Sequence, residues 1–197
     1  MNYKKHYIPL ESDPEIFTGL IHDLGVSSSL KFVDVCSLDD EALSLVQAPC
    51  PSTNSNSPVL SRQTIDNACG LYAILHTVCN VASSIKTKSA LHQLTKLEPT
   101  NRTKYLEDSE EICRAYAKAA QKGPSDVPIA EDEVDHHYIC FVTHSNQLYE
   151  LDGDVDGPIN RGFLAKGEDI LTARYIIRQY TESKIDGTFG LLALVED

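Results

Sequence analysis

The sequence predicts an α+β domain in which an antiparallel sheet packs between helices. Apolar residues recur at helical spacing in several segments, whereas residues 137–152 alternate apolar and polar side chains around a short polar turn, as in a β-hairpin. The elements do not repeat as strand, helix and strand, so a parallel sheet is not indicated. The 197 residues, 42% apolar and 23% charged, are expected to form one domain spanning 1–197, neither disordered nor of low complexity.

The N-terminal quarter of the chain contains a helix, a strand and a second, short helix. Residues 12–15, Ser-Asp-Pro-Glu, combine a capping side chain with a proline in the first turn, and Gly25 ends the helix. The apolar positions of this helix follow helical spacing: Ile16, Phe17, Leu20, Ile21 and Leu24. Residues 31–36 alternate like a half-buried strand, and residues 39–46 fit a short capped helix.

The middle of the chain predicts a loop followed by helices. Residues 50–62 are rich in Pro, Ser and Asn without a periodic apolar pattern, which favours a shortened, flexible surface loop. After Cys69, apolar residues predict a largely buried helix through Val78, and leucines 91, 94 and 97 mark another. A further helix is predicted to continue from Thr100 to Gln121.

The C-terminal part predicts a crossing loop and the remaining sheet. Residues 121–135 are rich in Pro, Ser, Asp and Glu, so we expect a mobile loop that crosses the molecule. The hairpin strands 137–143 and 147–152 turn at Ser145-Asn146. A helix over 168–182 and a last apolar strand over 188–195 follow.

Charge and cysteine content exclude several classes of function. The 17 basic and 29 acidic residues give a net charge of −12, which argues against nucleic acid and suits a basic partner. The six cysteines form no C-x-x-C pair, so neither a zinc site nor a disulfide framework is indicated. No stretch has the character of a signal peptide or a membrane span. We therefore expect a soluble monomer of the cytoplasm, or also of the nucleus, without metal or cofactor.

Cys69 is the candidate nucleophile. It lies directly before a helical pattern, where free backbone N–H groups and the positive end of the helix dipole would stabilise a thiolate. A cysteine at the start of a buried helix is otherwise an ordinary packing residue. The assignment therefore depends on a basic partner elsewhere in the chain.

His137 and Asp152 are the candidate partners. With a two-residue turn at Ser145-Asn146, residue 142 pairs with 149 and 139 with 152, so His137 lies diagonally beside Asp152 on one face of the sheet. The carboxylate can then orient the imidazole and favour its protonated form. Gln63, on the stretch before Cys69, could donate its amide to an oxyanion.

Three motifs around these residues resemble the ubiquitin carboxyl-terminal hydrolases. They are Gln63-Thr64-Ile65-Asp66-Asn67-Ala68-Cys69-Gly70, Val134-Asp135-His136-His137-Tyr138 and Leu148-Tyr149-Glu150-Leu151-Asp152-Gly153. Further matching segments follow one another in the same order along the chain. They are residues 8–15, 32–35, 105–107 and 158–160 and the last strand.

The resemblance implies a thiol protease with a papain-like fold that cleaves small adducts or unfolded peptides from the C-terminal glycine of ubiquitin, or of a related ubiquitin-like protein. In that family's terms Cys69 is the nucleophile, His137 the acid/base, Asp152 its orienting carboxylate and Gln63 the oxyanion donor. A crossover loop maps to residues 121–135 and restricts the leaving group. The matched motifs further imply contacts to substrate at the following residues: Pro9, Leu10, Glu11, Asp13 and Asn67.

One segment departs from the family pattern. Family members usually follow the proline near Pro49 with an apolar strand and a variable insert, whereas only residues 50–62 connect these points here, with Val59-Leu60 as the apolar remnant. We expect the missing strand to leave an exposed edge or a gap beside the helix of Cys69. Two further hypotheses stay open: a ubiquitin-binding module that is catalytically impaired, and an acidic scaffold that does not bind ubiquitin.

Overall fold

A computed structural model describes residues 3–39, 43, 46, 49, 57–81, 85–123, 136–165 and 189–196. These residues form the following helices: α1 (Pro14–Asp23), α2 (Cys69–Cys79), α3 (Ala90–Lys96), α4 (Pro99–Asp108) and α5 (Glu110–Ala120). They form the following strands: β1 (Leu30–Asp34), β2 (Cys140–His144), β3 (Gln147–Leu151), β4 (Ile159–Phe163) and β5 (Leu192–Glu196). Among the described residues, no helix combines the length and apolar character needed to cross a bilayer.

The first helix begins where the sequence predicts. The Asp13 carboxylate accepts hydrogen bonds from the backbone N–H groups of Glu15 and Ile16 at 2.7 and 3.0 Å, and Pro14 occupies the first turn. These groups satisfy the otherwise unpaired donors of the helix start. The buried face comprises Ile16, Phe17, Leu20 and Ile21, and it packs in the main core with α2, α3 and α5.

Two antiparallel sheets flank α2. β1 pairs with β5, while β2, β3 and β4 form the second sheet in that order. The predicted hairpin register is confirmed, because Val142 pairs with Tyr149. Ser145 and Asn146 have φ angles of 50° and 60°, the left-handed conformation that a two-residue hairpin turn requires.

Two elements differ from the sequence prediction. The helix expected over 100–121 is divided into α4 and α5 at Ser109, whose side chain accepts a hydrogen bond from Ile112 N–H and so starts a new helix. Strand β4 was not predicted. Its short sequence contains Gly162 at φ 115°, and its pairing with β3 shifts register between Leu148 and Tyr149, so the alternating pattern of a regular strand is broken.

The part of the 50–62 segment that the structure describes, residues 57–62, is not a free surface loop. The Asn80 amide donates to Val59 C=O at 2.9 Å and accepts from Val59 N–H at 2.7 Å. Ser61 is 4% exposed and its backbone contacts His76. The side chains of His76 in α2 and of Asn80, which caps its C-terminus, thus bind this segment as a neighbouring strand would, a pairing that apolar periodicity does not reveal.

A cleft lies between the two described sheets. In the described part of the chain no strand joins β5 to β2. The space encloses about 190 Å³ and is lined by β2, β5 and the α2 side chains of Ala73, Ile74 and Thr77. Within the described residues, this space adjoins the helix that begins at Cys69; the missing strand itself stays a prediction.

Three predicted elements lie wholly or mostly outside the described residues. They are the short helix over 39–46, of which residues 39, 43 and 46 are described, the helix over 168–182 and, apart from its first three residues, the crossing loop over 121–135.

Candidate active site

Cys69 is the first residue of α2 and is partly exposed. Asn67 adopts a left-handed conformation at φ 55°, which turns the chain into the helix two residues later. The next helical residue, Gly70, packs tightly: a Cβ there would lie 3.3 Å from Leu10 Cβ and 3.5 Å from the Tyr138 ring. The sulfur therefore lies at a helix N-terminus, where the backbone N–H groups favour negative charge.

His137 lies just before β2 and connects Cys69 to Asp152. Its Nε2 is 2.8 Å from Asp152 Oδ1, and its side chain is hydrogen bonded to Cys69. Asp152 engages Nε2, which leaves Nδ1 as the ring nitrogen for the hydrogen bond with Cys69. The hairpin register that brings 139 opposite 152 explains this arrangement, since His137 extends the same line beyond the strand.

The surroundings of His137 favour its protonated form. The hydrogen bond with Cys69 and the bond and charge of Asp152 outweigh partial burial and raise the pKa of His137 to about 9. An imidazolium at neutral pH is the counter-ion that a Cys69 thiolate requires.

The loop after β3 holds Asp152 in place and links it to Gln63. Asp154 N–H donates to Asp152 Oδ1 at 2.9 Å, so this oxygen contacts both the loop backbone and the imidazole. Gly153 C=O accepts from Gln63 N–H at 2.8 Å. A Cβ at Gly153 would lie 2.8 Å from Gln63 Cβ, so glycine is what allows the loop to pack this closely.

Gln63 is buried beside this loop. It is 6% exposed, and its Nε2 donates to Ile65 C=O at 3.2 Å. Its Oε1 lacks a hydrogen-bond partner among the described residues. One N–H of the Gln63 amide thus remains for a further acceptor.

The residues implied as substrate contacts have unequal surroundings. Leu10 is 4% exposed and packs on Gly70, and its C=O accepts from Tyr138 O–H at 3.0 Å. The Asp13 carboxylate caps α1. These two side chains therefore support the helix of Cys69 and α1 in the absence of substrate. Pro9, Glu11 and Asn67 are partly exposed.

Sequence reasoning missed Asp154. Its Oδ2 lies 4.0 Å from His137 Nδ1, and its position two residues after Asp152 was the available signal. Donor atoms of His137, Asp152 and Asp154 all lie within 4.8 Å of one another, so these are the described residues that could hold a cation. His137 Nε2 is already hydrogen bonded to Asp152 in that cluster.

Two other cysteines have a different environment from Cys69. Cys79 and Cys140 are buried, and burial raises the pKa of each thiol to about 12. Their thiols are neutral at physiological pH and inaccessible to a substrate. Cys69 combines exposure with an imidazole partner, the arrangement needed for nucleophilic attack on an acyl group.

Comparisons with known proteins identify the family to which this chain is similar. The model of the family described as ubiquitin carboxyl-terminal hydrolase, family 1, matches residues 7–53 and 51–182. A ubiquitin carboxyl-terminal hydrolase of Aplysia californica is 30% identical over 207 residues, covering 91% of this chain and 97% of the relative. The human ubiquitin carboxyl-terminal hydrolase isozyme L1 is 32% identical over 207 residues, covering 88% and 91%.

Solved structures share the fold. The catalytic domain of Trichinella spiralis UCH37, crystallised bound to ubiquitin vinyl methyl ester, superposes with a TM-score of 0.76 at 22% identity, covering 99% of this chain and 98% of that one. A second structure of UCH37 from that organism, bound to the same compound, gives a TM-score of 0.73 at 23% identity and covers 97% and 82%. The α+β architecture is therefore that of these catalytic domains.

Proposed function

This chain belongs to family 1 of the ubiquitin carboxyl-terminal hydrolases, a family of cysteine-type hydrolases, and we propose that it removes small adducts or unfolded peptides from the C-terminal glycine of ubiquitin through an acyl-enzyme. The observation that carries the proposal is the hydrogen-bonded series Cys69, His137 and Asp152 at the start of α2. Ubiquitin as partner is supported by the related UCH37 structures, which are bound to ubiquitin vinyl methyl ester.

The reaction follows from the protonation states of the pair. The Cys69 thiolate attacks the carbonyl carbon of the terminal glycine and forms a tetrahedral oxyanion. As the C–N bond breaks, the His137 imidazolium transfers its Nδ1 proton to the leaving amine, and a thioester remains on Cys69. Neutral His137 then takes a proton from water, whose oxygen attacks the thioester and releases ubiquitin with a free carboxylate.

Two donors are available for the oxyanion. We assign them to the backbone N–H of Cys69 and the side-chain amide of Gln63, which is buried beside the Asp152 loop. Hydrogen bonds aimed at the developing charge stabilise the transition state more than the ground state. A preference for the terminal glycines would follow if the family's crossover loop covers a narrow channel, since such a channel admits bare backbone and excludes side chains. Restriction to small leaving groups rests on the family's crossover loop, which maps to residues 121–135.

The decisive experiment uses ubiquitin carrying a C-terminal fluorogenic amide. We expect turnover by the native chain, loss of turnover in Cys69→Ala, and retention in Cys36→Ala, which removes an exposed free thiol just after the end of β1. Tight binding of ubiquitin aldehyde would accompany activity. Binding of ubiquitin without turnover would contradict the proposal and identify a binding module. A folded sample that binds no ubiquitin would leave the acidic scaffold as the remaining hypothesis.

A further inference from the structure

A second carboxylate, that of Asp154, lies on the Nδ1 side of the His137 ring. We propose that Asp154 is a specificity-determining residue that favours ubiquitin adducts whose leaving amine carries an additional positive charge. The inference rests on the proposed function and extends it to the chemical class of the adduct.

The position of Asp154 relative to one atom of His137 is the basis of the inference. Asp154 Oδ2 lies 4.0 Å from His137 Nδ1, the nitrogen that hands its proton to the leaving amine. During that transfer the amine nitrogen must lie within hydrogen-bond distance of Nδ1, about 2.6–3.2 Å. The first few atoms of the leaving group therefore pass close to the Asp154 carboxylate.

The neighbouring carboxylates are already engaged. Asp152 Oδ1 accepts from His137 Nε2 and from Asp154 N–H. Asp156 is paired with Arg62 at 3.0 Å. Among the described residues, the ion-pair contact of the Asp154 side chain is with His137 Nδ1, and its side chain is 47% exposed. Asp154 is thus the carboxylate of this loop that a cation on the leaving group could approach.

The groups next to Asp154 would not neutralise it. Burial, and then the charge of Asp154 itself, raise the pKa of Tyr3, so the phenol of Tyr3 remains uncharged. Arg62 also acts on Tyr3, but its guanidinium donates to Asp156. When His137 gives its proton to the departing amine, the imidazole becomes neutral. The additional positive charge of the leaving group is then the cation nearest to the Asp154 carboxylate.

The chemical step is the proposed one with a diamine as leaving group. Cys69 forms its thioester bond to the glycine carbonyl, the C–N bond breaks, and His137 Nδ1–H protonates the departing nitrogen, while the distant ammonium faces Asp154 throughout. Ion pairs of comparable exposure contribute about 0.2–1 kcal/mol. The expected preference over a neutral amine of the same length is therefore about 1.4- to fivefold in kcat/KM, diminishing in high salt.

The test compares two ubiquitin amides that differ in one charge: the monoamide of 1,4-diaminobutane and the butylamide. The ratio of their kcat/KM values is measured at low and at 1 M salt for the native chain, Asp154→Asn, Asp154→Lys and the matched control Asp156→Asn. We expect the native ratio to exceed one and to fall in high salt. Asp154→Asn should bring the ratio to about one, Asp154→Lys should invert it, and Asp156→Asn should keep the diamine preference.

Each other outcome overturns the inference in a recognisable way. Equal cleavage of both amides by the native chain removes the role of Asp154 but leaves ubiquitin hydrolysis standing. An equal fall of the ratio in Asp154→Asn and Asp156→Asn assigns the preference to the overall charge of the loop. Cleavage of neither amide, nor of the fluorogenic substrate, overturns the proposed function and this inference together. Because both kcat/KM values of a ratio are measured on the same variant, a general loss of activity cancels in the ratio.

Discussion

At the scale of single residues, the protonation of His137 sets the working pH range. Its pKa of about 9 results from the hydrogen bond with Cys69 and from Asp152. His137 is therefore protonated at neutral pH and loses its proton as the pH rises through about 9. We expect kcat/KM to be maintained up to about pH 9 and then to fall.

Asp152→Asn tests whether Asp152 sets the pH range of activity through the pKa of His137. Removing the carboxylate charge should lower the pKa of His137 and move the alkaline limb of the kcat/KM profile to lower pH. Because the imidazole also loses its orientation, kcat should fall by about 10²–10⁴-fold with a smaller change in KM. The measurement is a pH profile of native and variant chains. An unmoved alkaline limb, or equal changes in kcat and in KM, would count against the orienting role.

Burial of His76 makes the free energy of unfolding depend on pH. It is 1% exposed in α2, its Nε2 contacts the Ser61 backbone, and burial lowers its pKa to about 4. The unfolded chain therefore binds this proton at higher pH than the folded chain, and the free energy of unfolding falls as the pH drops from about 6.5 to about 4.

The expected slope is up to about 1.4 kcal/mol per pH unit in that interval. Denaturant unfolding of His76→Gln from pH 7 to 4 should show a shallower slope than the native chain, whereas His92→Gln, a substitution at a partly exposed position of α3, should keep the native slope. Identical slopes for all three chains would show that His76 is not the group responsible.

At the scale of elements, Asn80 replaces a strand partner for residues 57–62. Its amide bonds both backbone groups of Val59 and also donates to His76 C=O at 2.6 Å. Asn80→Ala would leave these groups without partners in a site where Asn80 itself is 6% exposed. We expect a loss of about 1–3 kcal/mol in the free energy of unfolding and faster hydrogen exchange at the Val59 amide.

The matched control is Asn101→Ala on the exposed face of α4, which should change stability by less than about 0.5 kcal/mol. If Val59 exchanged no faster in Asn80→Ala than in Asn101→Ala, the segment would be held by other contacts. The result bears on catalysis as well, because Gln63 directly follows this segment.

The elements that could be predicted from sequence are those whose signals are local. Ser145-Asn146 fixed the hairpin register and with it the approach of His137 to Asp152, and the Asp13 cap fixed the start of α1. The segment over 57–62 could not be predicted, because its hydrogen bonds go to side chains distant in sequence. Asp154 was missed for a related reason: its approach to Nδ1 depends on a loop conformation that the alternation of β3 does not determine.

At the scale of the whole molecule, the two sheets of the described residues are separated by a cleft. The family resemblance predicts an exposed edge or a gap beside the helix of Cys69, which stays a prediction; Pro49 is among the residues that line the cleft. The size of the cleft could not be predicted, since it depends on how β5 and β2 settle against α2. The main core nevertheless remains continuous through α1, α2, α3 and α5, which accounts for a site that is assembled despite the shortened segment.

The cleft also makes a prediction about packing, because added apolar volume should fit there and nowhere in the main core. Ala193 lies in β5 and lines the cleft, and valine suits a strand. Ala193→Val should raise the free energy of unfolding by up to about 1 kcal/mol through extra apolar burial. The same substitution at Ala119, which is 4% exposed in the core face of α5, should overpack its surroundings and cost about 1–3 kcal/mol. Denaturant unfolding measures the change in the free energy of unfolding for both variants. Equal destabilisation would mean that the space between the sheets does not accept side chains in solution. Changes of opposite sign would establish the cleft as unfilled volume beside the helix that carries Cys69.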